Sequence, residues 1–196
     1  GFSKDDLDRF ALASHEKAAA ATRDNRFGAE IVPIAIETED GEAMHTVDEG
    51  IRFDATLEGI AGVKLLSPEG RITAASASQI CDGSSAALIV SEAMLKEHGL
   101  TPMARIVDLT VTAGDPVIML EEPLFATDKA LKKAGLSIDD IDLYEVNEAF
   151  APVPMAWMKH VGADPAKLNV NGGAIALGHP LGASGTKLMA TLIHAL

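Results

Sequence analysis

The sequence is poor in cysteine, in cations and in long apolar runs, and each shortage excludes something. Cys81 stands alone, so no disulfide can close within the chain. No apolar run approaches the roughly 20 residues that a membrane-crossing helix needs. No basic start followed by an apolar stretch marks a secretory signal. Together these shortages suit a soluble intracellular protein, and a cytoplasmic location is expected. The 16 Lys and Arg residues are outnumbered by 29 Asp and Glu, for a formal net charge of −13. Phosphate backbones are held by clustered Lys and Arg, so this balance argues against nucleic acid as a partner. A charged small molecule asks for less, and Arg52 and Lys64, on one connecting segment, are candidates to hold a phosphate. Gly1 is not an initiator methionine, and the apolar pattern Leu188, Met189, Leu192, Ile193, Leu196 still runs at helical spacing at the last residue. Both ends are therefore expected to be cut.

What is present is a globular composition. Hydrophobic residues make up 47% of 196 positions, enough for a sizeable core in one large domain or two small ones, with no internal repeat or low-complexity segment. Ser3 and Asp6 approximate a capping box, and Leu7, Phe10, Ala11, Ser14, Ala18 and Ala21 share one face of the helix that follows, which predicts a helix over 4–23. Residues 30–37 suit a strand, at an edge because of Pro33, and the run Glu39-Asp40-Gly41-Glu42 supplies a turn after it. Residues 44–71 read as a long irregular stretch with a short helix near 55–61 and a turn at Pro68 to Gly70. Beyond it come a buried strand over 86–90, a helix over 92–98 closed by Gly99, a β-rich run over 104–112, a helix over 126–134 stopped by Gly135, and a strand over 141–146. A helix over 151–161 tolerates Pro152 and Pro154 in its first turn, and a last helix starts at Ser184. Strands alternating with helices predict α/β layers.

Two segments point to chemistry. The stretch from Asn171 to Gly185 is dense in glycine and stands before a helix N-terminus, where backbone can approach a ligand closely. His179, held between Gly178 and Pro180, could serve there as a general base or electrostatic stabiliser, or simply as a structural loop histidine. Asn147-Glu148-Ala149-Phe150 follows a predicted strand, at the end where open α/β sheets bind ligands. The same residues also suit an ordinary helix start, with Asn147 as N-cap and Glu148 in the first turn.

In this order and at this separation, Asn147-Glu148-Ala149-Phe150 and Gly172-Gly173-Ala174-Ile175-Ala176-Leu177-Gly178-His179-Pro180 resemble two signature blocks of the thiolases. The similarity runs along essentially the whole chain, including Ile51-Arg52, Ala55-Thr56-Leu57, Thr73-Ala74, Ala77-Ser78 and Cys81-Asp82-Gly83. It implies a thiolase-like layered α/β fold, mixed sheets covered by helices, incomplete in this chain. Residues 1–78 would be a loop and CoA-lining segment, 79–101 the end of the N-terminal thiolase domain, and 102–196 the first part of the C-terminal one.

The resemblance also implies an activity, thiolytic cleavage of a 3-oxoacyl-CoA or its reverse condensation. His179 would activate a cysteine nucleophile by taking its proton, and Asn147 would position a water that helps hold a thioester oxygen. Both family cysteines are expected outside residues 1–196, the nucleophile upstream and a Cys-x-Gly acid/base downstream. Cys81 is instead expected to be small, buried and structural. Arg52 would contact the nucleotide of CoA, and Ala77, Ser78, Met119, Ala149 and Phe150 would line the pantetheine tunnel, although surface charge and ordinary core packing are the competing explanations of these residues. No metal and no permanently bound cofactor is implied, only coenzyme A or acyl-CoA as substrate. The partner would be a second copy of the chain or a missing N-terminal half. Met119-Leu120-Glu121-Glu122-Pro123 and Gly62-Val63-Lys64-Leu65-Leu66 depart from the family pattern and leave acyl-chain specificity open, while the run from Pro152 to Trp157 leans to the degradative members. An inactive CoA-binding fragment and a structural half-domain in need of a partner are the alternatives.

Overall fold

A computed structural model describes residues 1–196. The helix α1, Lys4–Arg23, opens on a reciprocal cap: Ser3 accepts the Asp6 N–H, and the Ser3 N–H and hydroxyl both donate to the Asp6 carboxylate at 2.7 Å. Its buried stripe is built from small residues, Ala11, Ser14, Ala18 and Ala21, which let neighbouring backbone come close. A one-turn helix, named α6 by its place in the chain, Ala174–Leu177, uses that space. Ala18, Ala19, Ala21, Phe27, Ile51, Ala176 and Leu177 form one core cluster, and Leu7, Ala11, Ile60, Ala151 and Ile175 form a second beside it. A third cluster, Tyr144, Val146, Trp157, Ala163 and Leu168, packs under the remaining helices. Those helices are α4, Glu122–Ala134, and α5, Pro152–Val161. The shorter α2, Leu57–Ala61, is capped by Thr56; α3 spans Glu92–His98 and α7 spans Ser184–Ala195.

The helices stand close to where the sequence puts them, but the strands do not. One sheet forms, an antiparallel hairpin of β1, Ile34–Thr38, with β2, Gly41–His45, in the register Ile34 to His45. Pro33 sits just before β1, where its missing N–H costs no ladder bond. Residues 86–90 and 104–112 have no regular structure and make no backbone-to-backbone hydrogen bond, so the buried strand expected at 86–90 is not found. Leu88 is 82% exposed and Val107 77%. The physical reason is that a strand exists only through its neighbours, and no backbone of the chain pairs with either run; helix α4 reaches 104–112 only through bonds that involve a side chain, those of Lys129 and Lys133 among them. Residues 141–146 are an intermediate case. Tyr144 pairs in parallel with Leu168, donating to the Lys167 carbonyl and accepting from the Asn169 N–H, both at 2.9 Å.

Candidate active site

The glycine-rich segment is shaped by its packing on α1. Gly172 adopts φ +80°, and a Cβ there would stand 2.6 Å from the Ser14 carbonyl oxygen and 2.9 Å from Ala18 N, so only glycine fits. Helix α6 follows at once and delivers the chain to His179, which is half-buried. Ser184 donates to the Pro180 carbonyl at 3.1 Å and lies 2.6 Å from His179 Nδ1. With its proton given to Pro180, the serine oxygen accepts Nδ1–H, and this network leaves Nε2 as the unprotonated nitrogen. The Asn147 amide Nδ2 donates to that nitrogen at 3.3 Å.

Asn147 is therefore no helix cap. Helix α5 begins five residues later at Pro152, with Ala151 in the capping position, and the Asn147 side chain is spent on His179. Glu148 is not a first-turn residue either. It is 1% exposed, and its carboxylate accepts from the Ser14 hydroxyl at 2.6 Å, the Asn169 amide at 2.9 Å and the Ile175 N–H at 3.2 Å. Burial pushes the Glu148 carboxyl up, while the Ser14, Asn169 and Ile175 donors favour the charged form and oppose it. Ser14 also accepts the Gly173 N–H at 3.1 Å, and any Cβ on Gly173 would collide with the Glu148 carboxylate. Asn169, in the left-handed region at φ 44°, bonds the Val146 N–H and C=O with its side chain, both at 2.9 Å. The two catalytic candidates thus hang from one buried polar frame.

An open cleft of about 460 Å³ lies in front of His179, lined among others by Ser78, Gln79, Ala149, Phe150 and Pro180. The Ala77 to Phe150 antiparallel bridge and the Ser78 N–H donating to the Ala149 carbonyl at 3.0 Å hold its two walls together. Of the residues singled out in the sequence, Asn147, His179, Ala77, Ser78, Ala149 and Phe150 are brought together. Arg52 and Met119 are not among the cleft's lining: both are exposed, and Arg52 is tied by its backbone N–H to His15 Nδ1 at 3.2 Å. Burial and the nearby Arg52 charge hold His15 below the usual imidazole range, in keeping with its acceptor role. Cys81 is exposed and lines the cleft, against the expectation of a buried residue, because the 79–83 segment runs over the surface of Gly178 and Pro180.

Ser14, Gln79, Asn169 and Ser184 escaped the sequence reading. A polar residue on the small-residue stripe of α1 is the only signal Ser14 gives, and Ser184, five residues from His179, looks like an ordinary helix start.

Residues 1–93 match the family described as thiolase, N-terminal domain, and residues 100–196 that described as thiolase, C-terminal domain. The chain belongs to the thiolase family. It is 55% identical over 194 residues to the steroid 3-ketoacyl-CoA thiolase FadA6 of Mycobacterium tuberculosis, covering 99% of this chain and 46% of that protein. It is 46% identical over 195 residues to an acetyl-CoA acetyltransferase of Paracoccus denitrificans, covering 99% and 50%. The crystal structure of human mitochondrial 3-ketoacyl-CoA thiolase superposes with a TM-score of 0.92 at 42% identity, covering 100% of this chain and 50% of that one. The chain thus has the α/β thiolase fold and spans about half the length of the thiolases it matches. No helix is long and apolar enough to cross a membrane.

Proposed function

We propose that the chain supplies the histidine and asparagine side of a thiolase active site, which cleaves a 3-oxoacyl-CoA with coenzyme A into acetyl-CoA and a shortened acyl-CoA, or runs the reverse condensation. The observation that carries this reading is the Asn147 Nδ2 to His179 Nε2 contact at 3.3 Å, with Nδ1 occupied by Ser184. An imidazole held this way offers Nε2 as base to a thiol. The cysteine gives its proton to Nε2, and its thiolate attacks the C3 carbonyl of the substrate. The C2–C3 bond breaks, its electron pair leaves as the enolate of acetyl-CoA, and that enolate takes a proton from a second acid. Coenzyme A gives its proton to the base that the second acid has become, its thiolate takes the acyl group from the cysteine sulfur, and that sulfur recovers its proton from His179. Asn147 presents an amide donor where the thioester oxygen gathers charge, directly or through a water.

The nucleophile and the second acid belong to segments beyond residues 1–196, in the same polypeptide or in a separate chain, and with them the chain forms the complete enzyme. Cys81 is not that nucleophile. No hydrogen bond joins its thiol to either ring nitrogen of His179. The 55% identity to a steroid 3-ketoacyl-CoA thiolase supports the degradative direction. The free exposed Cys81 suits a reducing, cytoplasmic setting, and the exposed apolar side chains of 104–112 suit association with a second copy or with the cysteine-bearing half. Release of acetyl-CoA from a 3-oxoacyl-CoA and coenzyme A by the complete enzyme tests the reading. H179A is expected to lower kcat/KM on the order of 1,000-fold. Full turnover by H179A, or by residues 1–196 alone, would contradict it.

A further inference from the structure

Gln79 takes part in none of the steps above, yet it bonds both α6 and the His179 backbone. Its side-chain Nε2 donates to the Gly50 carbonyl and to the Ile175 carbonyl, both at 2.8 Å, and leans on the Ala176 carbonyl at 3.4 Å. Its backbone carbonyl accepts the His179 N–H at 3.0 Å, and its backbone N–H donates to Ala174 at 3.4 Å. The last carbonyls of a helix have no partner within it, and a one-turn helix such as α6 is not stable by itself. Gln79 supplies the missing donor for Ile175, and Lys187 does so for Leu177, both at 2.8 Å.

The residue type matters. A primary amide presents two N–H donors at a fixed angle and no charge, so it can bridge two carbonyls that a hydroxyl, with one proton, could not. Gly50 belongs to the same contact. A Cβ there would stand 2.9 Å from the Gln79 amide and 2.7 Å from the Ala176 oxygen, so a side chain at residue 50 would displace the bridge.

We propose that Gln79 is a positioning residue for His179, which sets the reach of Nε2 toward the reacting thiol by clamping the carbonyl end of α6 and the His179 backbone to the segment at Gly50. The proposal rests on the thiolase reading for its catalytic consequence, and on geometry alone for the clamp.

The test compares Q79E and the neutral, similarly sized Q79M with wild type in the complete enzyme, with kcat expressed per acylatable site. Misplacing a catalytic group by about 1 Å costs on the order of 100-fold, and that loss in kcat is expected in both variants. Although Gln79 also lines the cleft, its side chain is spent on the Gly50 and Ile175 carbonyls, so the loss should fall on kcat more than on KM for the acyl-CoA. Amides of 174–179 should exchange with deuterium faster in both. T127V, which removes the Trp157 Nε1 to Thr127 bond between residues outside the cleft's lining, serves as the control for mere destabilisation and should keep wild-type kcat per site. Wild-type kcat per site in Q79E and Q79M would overturn the proposal, as would an equal loss in T127V or unchanged exchange over 174–179. Absence of thiolysis in wild type would sink the catalytic reading instead, and the exchange measurement would still decide the clamp.

Discussion

Residues 172–179 and residues 80–121 are alike in having little regular structure, and they behave in opposite ways. The first segment is almost entirely buried, and its backbone is bound by Ser14, Glu148 and Gln79. The second, apart from α3 and the turns at 116–121, has no regular structure and is largely exposed, with Val111 at 84%. Polar side chains from four separate places in the sequence, Ser14, Gln79, Glu148 and Lys187, satisfy the irregular backbone of the first. The second carries apolar side chains and open backbone groups that ask for a neighbouring strand, which these residues do not contain. An irregular segment is therefore rigid where buried polar groups answer its backbone, and it waits for a partner where they do not.

The sharpest way to break this contrast is to empty the frame. Glu148→Ala leaves the Ser14, Asn169 and Ile175 donors buried without an acceptor, at about 1–3 kcal/mol each. Equilibrium denaturation should show a loss of about 3 kcal/mol or more, with E148Q recovering only part because its NH2 group must face one of the same donors. A loss within experimental error would mean that the frame does not hold the site.

A smaller effect is expected from the neighbouring carboxyl of Glu145. Burial, followed by the nearby Glu148 and Glu30 charges, raises it from an ordinary 4.5 to about 8, against the pull of Lys17 and Lys187. The folded state thus binds a proton that the unfolded state has released, so stability contributed by Glu145 is full below 4.5 and is lost as pH climbs toward about 8. Melting temperatures across that window should fall with pH in wild type and run flatter in Glu145→Gln. Parallel curves would remove Glu145 from the account.

The smallest effect belongs to the exposed stretch. Val107→Ala in the 196-residue chain should alter stability by less than about 0.5 kcal/mol, as for any exposed side chain. Amides of 86–90 and 104–112 should exchange at nearly free-peptide rates, while Ile175 and His179 stay protected. In the complete enzyme the same Val107 change should cost more if a strand covers it, and equal costs in both forms would erase the distinction drawn here.

The same contrast explains what could be read from the sequence. Helices α1, α4, α5 and α7 are local objects, and their caps, prolines and apolar spacing announce them. The apolar run at 86–90 and the β-rich composition of 104–112 signal strands with equal clarity, but pairing is not a local property, and the chain contains no pairing partner for them. His179 and Asn147 were legible through a long motif. The side chains that aim them, Ser14 from α1 and Gln79 from the connecting stretch, are single polar residues 134 and 96 residues before their partners Glu148 and Ile175, and nothing in their own surroundings marks them. Cys81 misled for a related reason: a small residue before an apolar run looks buried until the run proves to lie on the surface.

The central claim is that Nε2 of His179, held between Asn147 and Ser184, takes the proton of the nucleophilic thiol. It is tested most directly by the pH dependence of alkylation of that cysteine in the complete enzyme carrying C81S, so that Cys81 does not react. In wild-type background the thiol should ionise well below the ordinary value of about 8.5, and H179A should return it toward that value. An unchanged alkylation profile in H179A would contradict the account.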